Sequence, residues 1–148
     1  TFSTLEQNKT LARGVLNMIP ATLPDGKHYW RVRALNSMNK KGPWSVVRWF
    51  TVDTVSPDAP KLSSPANDAK VTGTPTYKWL AVLGAKYYQF QFAQDSAFTT
   101  GKYTSPELTV LYFKPPTQAK GIWYWRVRAQ DKASNWSKWS VAWKITIY

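Results

Sequence analysis

One histidine, eight Asp and Glu side chains and no cysteine leave the chain poor in the commonest groups for proton transfer, thiol attack and zinc binding. Catalysis needs several such groups to converge with tuned pKa values. His28 stands at an apolar position at a strand start, where packing or capping is the expected role. Asp25, Asp58, Asp68, Asp95 and Asp131 fall at scattered, turn-like positions. A carboxylate pair for glycoside hydrolysis could come from distant loops, but no spacing suggests one. Asp and Asn do not recur at calcium-loop spacing, one His without Cys cannot build a zinc set, and no glycine-rich phosphate loop occurs. The missing Cys also excludes disulfides and a thiol nucleophile. The expectation is a non-catalytic chain with no cofactor and no metal.

The chemistry left is that of aromatic rings and cations. Trp136-Ser-Lys-Trp139-Ser140 follows a stretch in which Arg126 and Arg128 alternate with Trp125 and Val127. In an extended strand this alternation sends Trp125 and Val127 to one face and both guanidinium groups to the other. Stacking a guanidinium on an indole is worth about 0.5–1 kcal/mol per exposed pair. Arg31, Arg33 and Trp44-Ser45 repeat the pattern earlier in the chain, with Lys41 where the first Trp would stand. One reading is a ladder that stiffens its own face. The other is a ligand platform for sugars or polyanions, using Trp136, Trp139, Arg126, Arg128, the outward Tyr87 and Lys132 in the loop before Asn135.

The formal net charge is +12. Residues 1–53 carry eight basic and three acidic side chains, and residues 54–148 carry twelve and five. Such an excess attracts polyanions and anionic surfaces over long range, and it also keeps an aromatic-rich surface soluble. The lysines are scattered rather than clustered. A pI near 10.0 meets the first test for a nucleic-acid binder, but no helix-turn-helix, zinc finger or RNA-binding consensus is present, so no specific nucleic acid is expected. Asn8-Lys-Thr10 and Asn135-Trp-Ser137 fit the glycosylation sequon; the second coincides with the Trp-Ser motif, which already explains it.

The elements that position these residues read as strands. Aromatic residues make up 16% of the chain, with nine Trp, and residues of this kind suit pleated, half-buried strands. Ten Pro and seven Gly are spread as punctuation. Tyr29-Trp-Arg-Val-Arg-Ala34 recurs as Tyr124-Trp-Arg-Val-Arg-Ala129, an offset of 95 residues that also matches Trp44-Ser-Val46 to Trp139-Ser-Val141 and Thr51 to Thr146. Phe2 precedes Trp30 much as Phe98 precedes Trp125. Residues 1–53 therefore correspond to the later copy from about Ala97 onward. Residues 54–60 read as a linker and 61–148 as a complete module. The first copy lacks its opening strands, so its inner face needs cover: another chain, a swapped module in a homo-oligomer, or the complete module.

Within the complete module, Thr74–Leu80 reads as a strand with Trp79 inward, and Gly84-Ala85 as a turn. Tyr88, Phe90 and Phe92 alternate with Tyr87, Gln89 and Gln91. Leu108–Phe113, Ile122–Gln130 and Val141–Tyr148 complete the set. About seven short strands at this spacing indicate an all-β sandwich.

The pattern Trp79…Gly84-Ala85…Tyr88-x-Phe90-x-Phe92, then Trp123-x-Trp125-x-Val127-x-Ala129, resembles the fibronectin type III fold, an immunoglobulin-like β-sandwich. The resemblance covers residues 57–148 fully and 1–53 in part. It implies that Trp79 on the second strand and Trp125 and Val127 on the sixth fill the core, with Trp30 and Trp44 structural in the first copy. Trp136-Ser-Lys-Trp-Ser140 is similar to the Trp-Ser motif of cytokine-receptor modules, in which Trp rings interleave with Arg groups of the adjacent strand. Repeats of this form look like those of bacterial secreted and cell-surface proteins. That implies a spacer or adhesion module, partnered by other domains of the same polypeptide and by a polysaccharide or anionic surface. The family usually places a Tyr six residues before the Ala of the sixth strand; here those positions are His28 and Trp123, so its corner hydroxyl bond is absent. Thr1–Leu5 has neither a basic start nor an apolar run, so an export signal is expected outside this segment.

Overall fold

The computed structural model describes residues 7–148. The comparison of Phe2 with Phe98 lies outside the described residues. The chain divides into two compact units, Thr1–Asp53 and Thr54–Tyr148. No helix occurs among the described residues.

The second unit is an all-β sandwich of two sheets, as expected. Its strands are β3 (Leu62–Ser64), β4 (Ala69–Val71), β5 (Tyr77–Trp79), β6 (Ala85–Ala93), β7 (Tyr103–Thr104), β8 (Tyr112–Phe113), β9 (Gly121–Asp131) and β10 (Trp143–Ile147). One sheet has the order β3-β5-β8 and the other β4-β10-β9-β6-β7. All pairings are antiparallel except that of β4 with β10. The first strand is thus split between the sheets, β3 on one and β4 on the other, with a cis Ser64-Pro65 bond between them. Gly84, at φ 79°, makes the turn into β6 as expected.

Period-two alternation builds the core. β9 buries Trp123, Trp125, Val127 and Ala129, and β6 buries Tyr88, Phe90 and Phe92. From the facing sheet Tyr77 and Trp79 enter between them, and β10 adds Ile145 and Ile147. Phe90 lies at the centre, its ring 4.8 Å from Tyr77, 5.2 Å from Phe113 and 6.1 Å from Trp125. Aromatic pairs at such separations and tilts gain about 0.5–1.5 kcal/mol beyond area burial. The Tyr77 hydroxyl donates to Gln118 Oε1 at 2.8 Å, and burial pushes its pKa up.

The expected strand over residues 108–113 shrinks to Tyr112–Phe113. Leu108 instead exchanges both backbone hydrogen bonds with Tyr88 at 2.8 Å, so it belongs to the edge of the other sheet. One short run cannot serve two sheets as a continuous strand.

The first unit holds one antiparallel pair, β1 (Gly26–Trp30) with β2 (Arg48–Val52). Its register, Gly26 opposite Val52 and Trp30 opposite Arg48, is that of β9 with β10, Gly121 opposite Ile147 and Trp125 opposite Trp143. β9 runs on to Asp131 because β6 pairs with it through that stretch. β1 stops at Trp30, where no such neighbour supports it among the described residues. Trp30, read as structural from its place in the repeat, is 42% exposed, whereas Trp125 is fully buried. Among the described residues the strands that cover Trp125 have no counterpart over Trp30.

Candidate functional site

The Arg side chains of β9 and the two Trp of the following loop form one alternating stack. The guanidinium carbon of Arg126 lies 3.8 Å from the Phe98 ring centre and 4.6 Å from that of Trp139. That of Arg128 lies 4.7 Å from Trp139 and 4.2 Å from Trp136. The order is Phe98, Arg126, Trp139, Arg128, Trp136. In the first unit Trp44 sits between Arg31 at 4.3 Å and Arg33 at 4.1 Å.

Each guanidinium of the longer stack is also braced at its edge. Arg126 donates from Nε and Nη2 to Gln91 Oε1 at 3.0 and 2.8 Å. Arg128 does the same to Gln89 Oε1 at 3.0 and 2.7 Å. Gln89 and Gln91 are the residues of β6 opposite Arg128 and Arg126. Two parallel N–H donors on one oxygen fix the plane of the guanidinium, which a Lys ammonium cannot reproduce. Burial lowers the pKa of both arginines, with Arg128 adding repulsion at Arg126; both stay charged at neutral pH.

The serines of the motif do a different task. Ser137 and Ser140 are buried. Their Oγ atoms accept the backbone N–H groups of Ala129 at 2.9 Å and Val127 at 3.1 Å. Their own N–H groups donate to the carbonyls of the same two residues at 2.8 Å. They complete the β9 ladder where β10 has not yet begun. In the first unit Ser45 serves Val32 in the same way, at 3.0 and 2.7 Å, while Gly42 N–H donates to the Ala34 carbonyl at 2.9 Å.

Aspartate-capped turns set both ends of the stack. Asp95 accepts from the backbone N–H groups of Thr100, Thr99 and Ala97, closing the turn that holds Phe98 at φ 59°. Asp131 accepts the backbone and side-chain N–H groups of Asn135, both at 2.9 Å, just before Trp136. The Thr100 bond, with those from Thr99 and Ala97, holds the Asp95 carboxyl below its ordinary range. Desolvation pushes the Asp131 carboxyl up, but the bonds from Asn135, Ala133 and Ser134 together outweigh it and lower the pKa. A carboxyl depressed on folding contributes stability above its unfolded value, lost as pH falls through the folded one. The melting temperature should therefore drop as pH is lowered from about 4, the unfolded value. Asp95→Asn and Asp131→Asn should each flatten that acid limb in a pH series of thermal melts. A limb of unchanged slope would remove these turns from the acid response.

The other expected site residues are not brought into the stack. Tyr87 is half-buried on β6 beside a bulge, with Lys86 Nζ 4.7 Å from its ring centre. Lys132 is exposed in the loop after β9. Sequence reasoning missed the two Gln braces and gave Phe98 no role in the stack. It also missed the corner. Trp123 Nε1–H donates to the Ala119 carbonyl at 2.8 Å, and His28 Nε2 lies 2.8 Å from the Pro24 carbonyl. A ring nitrogen at the family's Tyr position thus reaches the residue four back. Among the described residues no cluster of His, Asp and Glu could hold a metal ion, and no helix is long and apolar enough to cross a membrane.

No protein-family model matches the sequence, and no curated protein matches it. Several solved structures are similar in fold. The FN1–FN3 domains of chicken CNTN1 align over 85% of this chain and 44% of theirs, at 17% identity and TM-score 0.45. CopC from Methylosinus trichosporium OB3b aligns over 60% of this chain and 92% of its own, at 14% identity and TM-score 0.41. The beta-1,2-glucanase from Parabacteroides distasonis aligns over 72% of this chain, at 20% identity and TM-score 0.42, and the chain spans only 16% of that enzyme.

Proposed function

We propose that the chain is a non-catalytic spacer or adhesion segment of a secreted or cell-surface multidomain protein. It would carry one complete module and the later strands of another. The observation behind this reading is that the aromatic and cationic side chains of the Trp-Ser region are spent on one another. Arg126 is held between Phe98 and Trp139 and tied to Gln91, and Arg128 between Trp139 and Trp136 and tied to Gln89. A group held on both faces and one edge stiffens its own sheet and offers little to a ligand. The first unit repeats the unit of construction around Trp44, as serial modules of one design would.

The test is a glycan and polyanion array run at low and at physiological salt. Exposed charges attract over about 30 Å at 0.01 M salt but only about 8 Å at 0.15 M. The spacer reading expects binding that vanishes with salt or never arises. Salt-resistant binding that Trp136→Ala, Trp139→Ala or Lys132→Ala abolishes would instead make the Trp-Ser face a carbohydrate- or polyanion-recognition surface.

A further inference from the structure

Lysines scattered along the sequence are gathered by the three-stranded sheet β3-β5-β8. Tyr77 and Trp79 of β5 point into the core, so by alternation Lys78 and Leu80 point outward. Lys78 lies opposite Tyr112 of β8. The Trp79 N–H donates to the Leu111 carbonyl at 3.1 Å, which carries the pairing on toward Leu80 and Val110. On the other side the Leu80 N–H donates to the Lys61 carbonyl at 2.9 Å. Lys114 follows Tyr112 by two residues and takes the same face. Lys61, Lys78 and Lys114 are exposed, as are Leu80 and Tyr112 at 52% and 54%. Residues 61–64, 76–83 and 110–114 contain no Asp or Glu. The outer face of the other sheet carries the stack from Phe98 to Trp136; this one has no such stack among the described residues.

An apolar turn continues the face. Leu80-Ala81-Val82-Leu83 leads into Gly84, and Leu83 is 97% exposed. The turn is nonetheless fixed. The Val82 N–H donates to the hydroxyl of buried Tyr88 at 2.9 Å, and the Ala85 N–H to the Val82 carbonyl at 3.2 Å. Leu83 is therefore held out into solvent by a braced turn. A lone exposed Leu needs no explanation, but an apolar strip bordered by one sign of charge marks a contact surface.

We propose that this face of the second unit docks on an anionic lipid surface. Leu80 and Leu83 enter the boundary between headgroups and acyl chains, and Lys61, Lys78 and Lys114 meet the lipid phosphates. This goes beyond the spacer reading, which uses none of these residues. A soluble polyanion would satisfy the lysines alone and leave the leucines in water. A sugar chain would want flat rings, and Tyr112 is the one ring on this face among the described residues. An anionic bilayer offers charge at its surface and an apolar layer about 5–10 Å below it, the same two features that this face sets side by side. The net charge of +12 adds long-range attraction to such a surface.

The test is sedimentation of the full chain with phosphatidylglycerol-containing vesicles and with pure phosphatidylcholine vesicles, at about 0.15 M salt. The chain has no Cys, so Leu83→Cys and, on the Trp-Ser face, Lys138→Cys each accept a single polarity-sensitive dye. The expected result is binding to the anionic vesicles alone, with a blue shift of the dye at position 83 and none at 138. Replacing Lys61, Lys78 and Lys114 together by Gln should weaken partitioning about 100-fold, from about 5-fold per charge. Leu80→Ser combined with Leu83→Ser should weaken it at least about 10-fold. All five side chains are exposed, so thermal melts of both variants should match that of the unmodified chain. Failure to bind anionic vesicles overturns the proposal, as does equal binding to neutral ones. Binding that the lysine variant weakens and the leucine variant does not would overturn it in favour of a soluble-polyanion site. Binding that neither variant changes would place the contact elsewhere on the basic surface and overturn it as well.

Discussion

Trp125→Ala should cost about 3–5 kcal/mol, the range for truncating a buried aromatic residue, while Trp30→Ala should cost well under half of that. The two residues share a motif, a register and an offset of 95 residues. They differ in cover. Trp125 touches Tyr77 at 4.9 Å, Phe90 at 6.1 Å and Trp143 at 5.8 Å between ring centres. Its removal leaves a cavity lined by large rings that cannot collapse without leaving their rotamers. Trp30 faces Arg48 across the strand pair and is 42% exposed, so water fills its place. Domains have about 5–15 kcal/mol of stability in all, so Trp125→Ala should bring the second unit close to unfolding at room temperature. Urea denaturation followed by amide exchange in each unit measures both. Equal losses at the two positions would show that the first unit is closed in solution.

This contrast also marks how much the sequence could disclose. Alternation in Tyr88–Phe92 and in Trp123–Ala129 was legible, because a strand with one buried face must repeat every two residues, and both runs are core strands. The ladder was legible in part for the same reason: the residues between core positions point together, which brought Arg126 and Arg128 to one side. Gln89 and Gln91 were not read as braces, since a polar residue between aromatic ones looks the same whether it meets water or a guanidinium across the sheet. Only strand register decides, and register is a property of two segments at once. The corner was missed because the search was for a hydroxyl, when any ring donor of similar reach can satisfy the carbonyl four residues back. Trp30 was read as structural from its repeat, but burial comes from the strands opposite. A repeat can transmit conformation without transmitting burial.

Ser137→Ala and Ser140→Ala should each cost about 1–3 kcal/mol, the penalty for leaving a buried donor without a partner. The hydroxyls look peripheral, yet they supply the acceptors that β10 would give if it began four residues sooner. The N–H groups of Val127 and Ala129 point away from β6, and both residues are fully buried. No water-filled edge is available to them, so the lost acceptor is not replaced. The two substitutions fall on one strand and beneath one stack, so their combined effect should depart from the sum. Tilting the loop would also displace Trp136 and Trp139 from the guanidinium faces. Ser45→Ala is the control: it removes the same bond to Val32, but at a residue 58% exposed, where solvent can take the hydroxyl's place. Chemical denaturation gives the three costs, and the exchange rates of the Val127 and Ala129 amides locate the damage. A large loss for Ser140→Ala with a small one for Ser45→Ala would mean that the Trp-Ser motif is held by its serines in proportion to burial. Losses that are small at both would assign its stability to the stacked rings alone.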